Sequence, residues 1–368
     1  MSSYLEVDEL MREADTLPYG PVKMSVMQQA VRAADETHDL DWMFYTRIKL
    51  VCAATFSGAG EQSLVAFSWC LNQYKKDPQQ FADYEYELCW EFKHVHDSIL
   101  QFPQVSAEQI EALLDDMQAV YSMHNYSMRM VNNRRYCWEK ERGNKQAAIA
   151  YFEKFQSDPR DSMADCIACD RNTEVRFYRY IGNHQRAIDH AQPLFRKELT
   201  CECVPRTTYS TILPSYAQTQ RLDEADQLRE IGYREIRDNP NYLKEIGHQL
   251  SYLSFRGQLK VGAKMFARHV EWALNSFELG AKFAFLHGAK WLFEELIAEI
   301  SKPPKPQPKL KLNLPQSFPL YQQDGVYDAN EILDWVNAEA GDLAARFDKR
   351  NKTTRYAEML ANYRYAFA

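Results

Sequence analysis

Two stretches decide the fold: ERGNKQAAIAYF, Glu141 to Phe152, and YIGNHQRAIDHA, Tyr180 to Ala191. In each, a helical pattern stops at a glycine, a short polar bridge follows, and a second helical pattern opens with a small residue on its apolar face. Glycine ends helices because it alone enters the left-handed conformation without a Cβ penalty. Looser copies are SGAGEQSLVAF (57–67), TQRLDEADQL (219–228) and FRGQLKVGAKMF (255–266). Taking Val65, Ala148, Ala187, Ala225 and Gly262 as equivalent gives steps of 83, 39, 38 and 37 residues, the first spanning two periods. The chain is therefore a repeat with a period of about 39 residues.

A helix pair of this kind cannot bury its apolar face alone. Neighbouring pairs must stack, and the small residue lets the two helices approach closely. The periodicity predicts helices over 5–15, 21–37, 41–57, 61–75, 79–98, 107–122, 126–141, 144–156, 164–181, 184–197, 205–219, 222–237, 241–255, 258–273 and 276–299: about seven pairs plus a capping helix. Asp77-Pro78, Asp158-Pro159 and Asn239-Pro240 each follow a second helix, where proline prevents continuation. Ser106 with Gln109 has the form of a capping box.

Gly143-Asn144 followed by Ala148-Ile149 and Tyr151-Phe152, and Gly182-Asn183 followed by Ala187-Ile188 and preceded by Tyr178, resemble tetratricopeptide repeats. Val65 and Gly262 stand where that family has alanine, Tyr136 and Val175 where it has a small residue, and the period exceeds the family's, which is about 34. The resemblance implies an all-α, right-handed α-solenoid whose first helices line a concave binding surface.

Composition agrees with an ordinary folded helical protein: 368 residues, 45% hydrophobic, 26% charged, 13% aromatic, with 13 Gly and 15 Pro. The start, MSSYLEVDELMREADTL, has acidic residues where a secretory signal would be basic and then apolar, and no apolar run reaches about 18 residues. A cytoplasmic protein with no membrane partner is expected. The net charge of −7 gives no reason to expect nucleic acid, which needs a basic face.

The array is expected to run through residues 1–300. SKPPKPQPKLKLNLPQSFPL, 301–320, carries six prolines with Lys302, Lys305, Lys309 and Lys311 among them, so 301–327 reads as an extended, polyproline-like linker. Ile332, Leu333, Trp335, Val336, Leu343 and Phe347 at helical spacing, and KTTRYAEMLANYRYAF after them, make 328–368 a helical pair that caps the array or binds a partner. About 40 residues are too few for an independent core.

Of the eight cysteines, Cys166 and Cys169 in DCIACDR share the first turns of one helix, and Cys201 and Cys203 in TCEC fall just before the first helix of the next pair. Successive repeats lie about 10 Å apart, so the four thiols can converge on a structural zinc, as CxxC halves of such sites do. The CxC half and the lack of a glycine knuckle argue for packing instead, and a redox pair is the third reading. The separation of the sulfurs decides among them. No cofactor other than that zinc is implied. Cys52, Cys70, Cys89 and Cys137 read as packing residues, and His94 and His96 as surface or satisfied side chains. No phosphate loop, GxSxG elbow or HExxH occurs, so no enzyme class has support.

Carrying over the family's concave positions gives Asn133, Arg134, Cys137 and Lys140 in one repeat and Asn172, Arg176 and Arg179 in the next, with Lys244 and His248 two repeats on. Arginine forks and asparagine amides suit a carboxylate or an acidic peptide, and the set resembles the carboxylate clamps of some tetratricopeptide proteins. The expected function is a protein- or peptide-binding scaffold. Two alternatives are a peptide-responsive signalling regulator acting on a protein partner, like bacterial peptide sensors of this family, and a zinc- or thiol-dependent activity at the four cysteines.

Overall fold

A computed structural model describes residues 3–300 and 309–362. The chain divides into two compact units, Met1–Ala164 and Asp165–Ala368. Unit 1 holds α1 (Ser3–Thr16), α2 (Pro21–Thr37), α3 (Leu40–Phe56), α4 (Gly60–Lys76), α5 (Glu85–Ile99), α6 (Ala107–Met123), α7 (Arg129–Arg142) and α8 (Lys145–Ser157). Unit 2 holds α9 (Ile167–Tyr180), α10 (His184–Phe195), α11 (Arg206–Gln218), α12 (Leu222–Ile236), α13 (Leu243–Phe255), α14 (Leu259–Asn275) and α15 (Leu279–Ile300). Strands β1 (Lys309–Lys311) and β2 (Val326–Asp328) and helices α16 (Ala329–Asn351) and α17 (Arg355–Ala361) complete it. Within each unit every helix packs on its chain neighbour, and in unit 2 α9, α11, α13 and α15 also touch in series as one layer. This is the all-α solenoid arrangement of stacked helix pairs.

The repeat is visible in the backbone. Gly58, Gly143, Gly182, Gln220 and Gly257 each take a left-handed conformation at the end of a first helix, the last four spaced 39, 38 and 37 residues apart. In each, the following residue's N–H bonds back to a carbonyl five residues earlier: Ala59 to Ala54, Asn144 to Glu139, Asn183 to Tyr178, Arg221 to Tyr216 and Gln258 to Leu253, at 2.8–2.9 Å. These bonds satisfy carbonyls that a helix end would otherwise leave unpaired. Asn144 and Asn183 then cap the second helices, accepting from the N–H groups of Ala147 and Arg186. Ser106 and Gln109 form the expected capping box.

Ala148, Ala187 and Ala225 are fully buried, as the repeat requires, whereas Val65 is 72% exposed. The register in that copy is shifted by one: Ala66 is buried, and Gly60 makes the close approach, facing Ser98 and Phe102. The division at 164–165 falls inside the stretch expected to be continuous. It lies in the non-helical segment 158–166, whose first part folds back on unit 1. Ser127 donates to the Pro159 carbonyl and its N–H to Asp161, and Lys93 donates to the Met163 carbonyl at 3.0 Å.

Residues 301–308 lie outside the described residues, but 309–327 is not a polyproline linker. Lys309–Lys311 pairs antiparallel with Val326–Asp328, with Leu310 opposite Tyr327. Leu310, Leu312 and Leu314 alternate inward against exposed Lys309, Lys311 and Asn313, a period-2 strand pattern that the neighbouring prolines obscure. Phe318 reaches Trp335 of α16, ring centroids 4.9 Å apart. Helix α16 packs along α15, tied by Lys282 to Glu339 at 2.7 Å.

In unit 2, α13 and α15 meet backbone to backbone. A Cβ on Gly247 would lie 2.3 Å from the Ala284 carbonyl oxygen, and one on Gly288 would lie 2.3 Å from the Gly247 carbonyl oxygen. Gly247→Ala or Gly288→Ala must therefore separate two backbones, and each is expected to lower the stability of unit 2 by about 1–3 kcal/mol in chemical denaturation. Gly262→Ala meets only the Leu292 methyl end; its helix-propensity gain of about 1 kcal/mol offsets a rotamer shift and leaves stability nearly unchanged.

Unit 1 buries charge on α5. Lys93 is fully buried beneath the Trp90 ring, 3.2 Å from its centroid. Glu91 is 4% exposed with Oε2 unpartnered; burial, reinforced by Glu87 and opposed by Lys93 and Lys49, pushes its pKa from 4.5 to about 8. The folded chain holds a proton there that the unfolded chain loses above about 4.5. The native state keeps its full stability below that pH and loses part of it as pH rises towards 8. Glu91→Gln removes the penalty. Its unfolding free energy, measured by chemical denaturation, should match the parent's near pH 5 and exceed it increasingly up to pH 8, by an amount on the order of a few kcal/mol.

Candidate functional site

Helix α9 carries both groups of residues that matter in unit 2. Cys166 is its N-cap and accepts a hydrogen bond from the Cys169 N–H at 3.4 Å. One turn in, Cys169 faces Cys201, with Sγ to Sγ 3.4 Å. Cys201 is fixed by a tight turn before α11, its N–H bonded to the Val204 carbonyl at 3.0 Å. The three sulfurs of Cys166, Cys169 and Cys201 all lie within 4.8 Å of one another.

Cys203 does not join them, so the expected four-cysteine set is corrected to three. The turn from Cys201 to Val204 reverses the chain and leaves Cys203 exposed. Burial first, then contact with Cys201 and Cys166, pushes the Cys169 thiol well above its ordinary value. A cleft lined by Lys197, Thr200, Pro205, Arg206 and Glu235 opens beside Cys201.

Two turns after Cys169, the same face of α9 presents Arg176 and Arg179, and α13 presents Lys244 and His248. They converge. His248 is half-buried and its pKa is driven well below the usual value, by burial first and then by Arg179, Lys244, His287 and Arg176. Arg176, Lys244 and His248 make no hydrogen bond or ion pair among the described residues. Glu245 is buried among them, and its carboxyl is pushed up, by desolvation against the pull of Lys244 and Arg176. Glu278 is pushed up likewise, by burial and by Glu245. Helix α17 lies at one end of this face: Arg355 sits 5.9 Å from the Tyr180 ring of α9, and His287 of α15 meets the Met359 carbonyl at 3.2 Å.

Asn172 is committed elsewhere. It is buried, donating to Thr207 Oγ1 at 3.3 Å and accepting from Thr208 Oγ1 at 2.8 Å, and so locks α9 to α11. Three further candidates belong to unit 1, and two of them, Asn133 and Arg134, are buried. Asn133 is 1% exposed and accepts from Arg134 at 3.2 Å. Arg134 is 6% exposed and pairs with Asp97 of α5 at 3.0 Å. Burial would raise the Asp97 pKa, but Arg134 and His96 bring it far below the carboxylate range. Lys140 lies half-buried over the Tyr136 ring at 5.4 Å. Of the three, Arg134 ties α7 to α5. Bulky Tyr136, where the repeat family has a small residue, is itself 1% exposed.

Glu245, Glu278 and His287 are the site residues that sequence reasoning missed. Glu245 left only a weak signal, a carboxylate between Lys244 and Ile246 in the mixed run YLKEIGHQL. His287 could be found only from Gly288 beside it, a mid-helix glycine that marks a close approach. No helix among the described residues is long and apolar enough to cross a membrane. No protein-family model matches the chain, and no curated protein matches it in sequence.

Proposed function

We propose that unit 2 is a binding scaffold of tetratricopeptide-like type that holds an acidic peptide segment of a protein partner along the α9–α11–α13–α15 face. The observation that carries this reading is the group Arg176, Lys244 and His248, three basic side chains on two helices that make no hydrogen bond or ion pair among the described residues, while Arg179 adds to the same field. Arginines elsewhere in the unit have found carboxylates, as Arg256 has Asp226 at 2.8 Å. Arg176 is a half-buried cation and Lys244 an exposed one; a half-buried guanidinium loses hydration that pairing with a carboxylate restores. Burial raises the pKa of both carboxyls inside the group, against the pull of Lys244 on each and of Arg176 on Glu245.

Such a face offers a peptide carboxylate a guanidinium fork from α9 and an ammonium from α13. Neutral His248 between them is a hydrogen-bond donor or acceptor rather than a repelling charge at pH 7. Nothing in the group supplies a nucleophile with its base, so it recognises without transforming.

Fluorescence anisotropy of full-length protein with labelled peptides tests this. An Asp/Glu-rich peptide should bind, with affinity falling as salt rises, and a Lys-rich peptide of equal length should not. Arg176→Glu and Lys244→Glu should each weaken binding by roughly 10–100-fold, the loss expected for a charge-assisted hydrogen bond worth about 1.5–3 kcal/mol. Equal binding of both peptides, or unchanged affinity in both variants, would overturn the reading.

A further inference from the structure

We propose that Cys166, Cys169 and Cys201 form a three-thiolate site for zinc(II), with the fourth coordination position open to solvent or to an exogenous ligand. The distances support it. Three sulfurs bound tetrahedrally at about 2.3 Å from one ion lie about 3.8 Å apart. The observed separations bracket that value, from 3.4 Å between Cys169 and Cys201 to no more than 4.8 Å across the group. The thiols come from two segments 32 residues apart, brought together by the stacking of α9 on the chain before α11. A disulfide requires about 2.05 Å between sulfurs and would use two of the three, leaving the placement of Cys166 without purpose.

The surroundings also fit. Cys166 occupies an N-cap, where serine, threonine, aspartate or asparagine is usual and a thiol is the poorer hydrogen-bond acceptor. A thiolate there gains from the positive end of the α9 dipole, and so does Cys169 one turn in. Binding replaces three S–H bonds with three Zn–S bonds and releases three protons to the buffer, with no change in oxidation state. Affinity therefore falls with falling pH. The open position is what separates this site from a closed structural zinc, which takes four protein ligands. Cys201 lines the cleft with Lys197 and Arg206, through which an anionic fourth ligand would enter.

The test is cobalt(II) titration of full-length, fully reduced protein without oxygen, followed by zinc(II) displacement. One cobalt(II) per chain with intense thiolate charge-transfer absorption, displaced by one zinc(II), is expected. Cys166→Ser, Cys169→Ser and Cys201→Ser should each lose or strongly weaken that absorption, and Cys203→Ser should retain it. Far-UV circular dichroism checks each fold; should Cys169→Ser fail to fold, Cys166→Ser, altered at an exposed helix cap, gives the same reading. No charge-transfer band, or a band surviving in the folded Cys166→Ser variant, overturns the site. Loss of the band in Cys203→Ser as complete as in Cys201→Ser overturns the open, three-thiol form in favour of a closed four-cysteine one.

Discussion

The backbone contact between Gly247 and Gly288 is the constraint on which the proposed binding face depends. Each glycine costs about 1 kcal/mol inside a helix, because it surrenders more conformational freedom than alanine. What it provides is proximity. With no Cβ on either side the α13 and α15 backbones meet directly, and the residues beside the contact, His248 and His287, enter each other's electrostatic field. Any larger residue at the contact would push the two helices apart and weaken that field. The packing and the electrostatics of the face are thus consequences of two missing methyl groups.

The second organising element is the helix end. Five first helices of the chain close on the same left-handed residue and the same backward hydrogen bond, and four of these residues are glycine. At Gln220 a residue with a Cβ adopts the conformation anyway. There the ladder of the repeat overrides a local preference worth about 1 kcal/mol. Because the turn is set by backbone bonds, its spacing survives even where the sequence signature has faded.

That explains what was legible in the sequence. Helix positions and the repeat could be read because glycine, asparagine and proline act locally and leave their mark within a few residues. The fates of Asn133 and Arg134 could not. Their partners lie in another part of the chain, Asp97 being 37 residues away, and an arginine on a helical face looks the same whether it meets water or a carboxylate across a helix junction. The strand at Lys309–Lys311 was hidden for a different reason: the alternating Leu310, Leu312 and Leu314 sit beside prolines, whose composition signal is stronger than a period-2 pattern this short. The three thiols were half legible. Cys166 and Cys169 declare a shared helix turn through their spacing, but only the turn at Cys201–Val204 shows that Cys201 joins them and Cys203 does not.

One face of α9 then carries three different tasks in helical order. Thiols occupy its first turn, Asn172 fastens the middle to α11, and Arg176 and Arg179 occupy the final turns. The order follows the helix dipole. Its positive end favours groups that become anionic, as the cysteines do on binding a cation, and its negative end favours fixed cations such as the two arginines. A helix of reversed sequence would set thiolates against unpaired carbonyls and guanidinium groups against unpaired N–H groups, weakening both ends. With Asn172 bonded to Thr207 and Thr208, neither end can rotate without breaking buried hydrogen bonds to α11. The same bonds that hold the first helices in one layer therefore aim both the thiols and the cations.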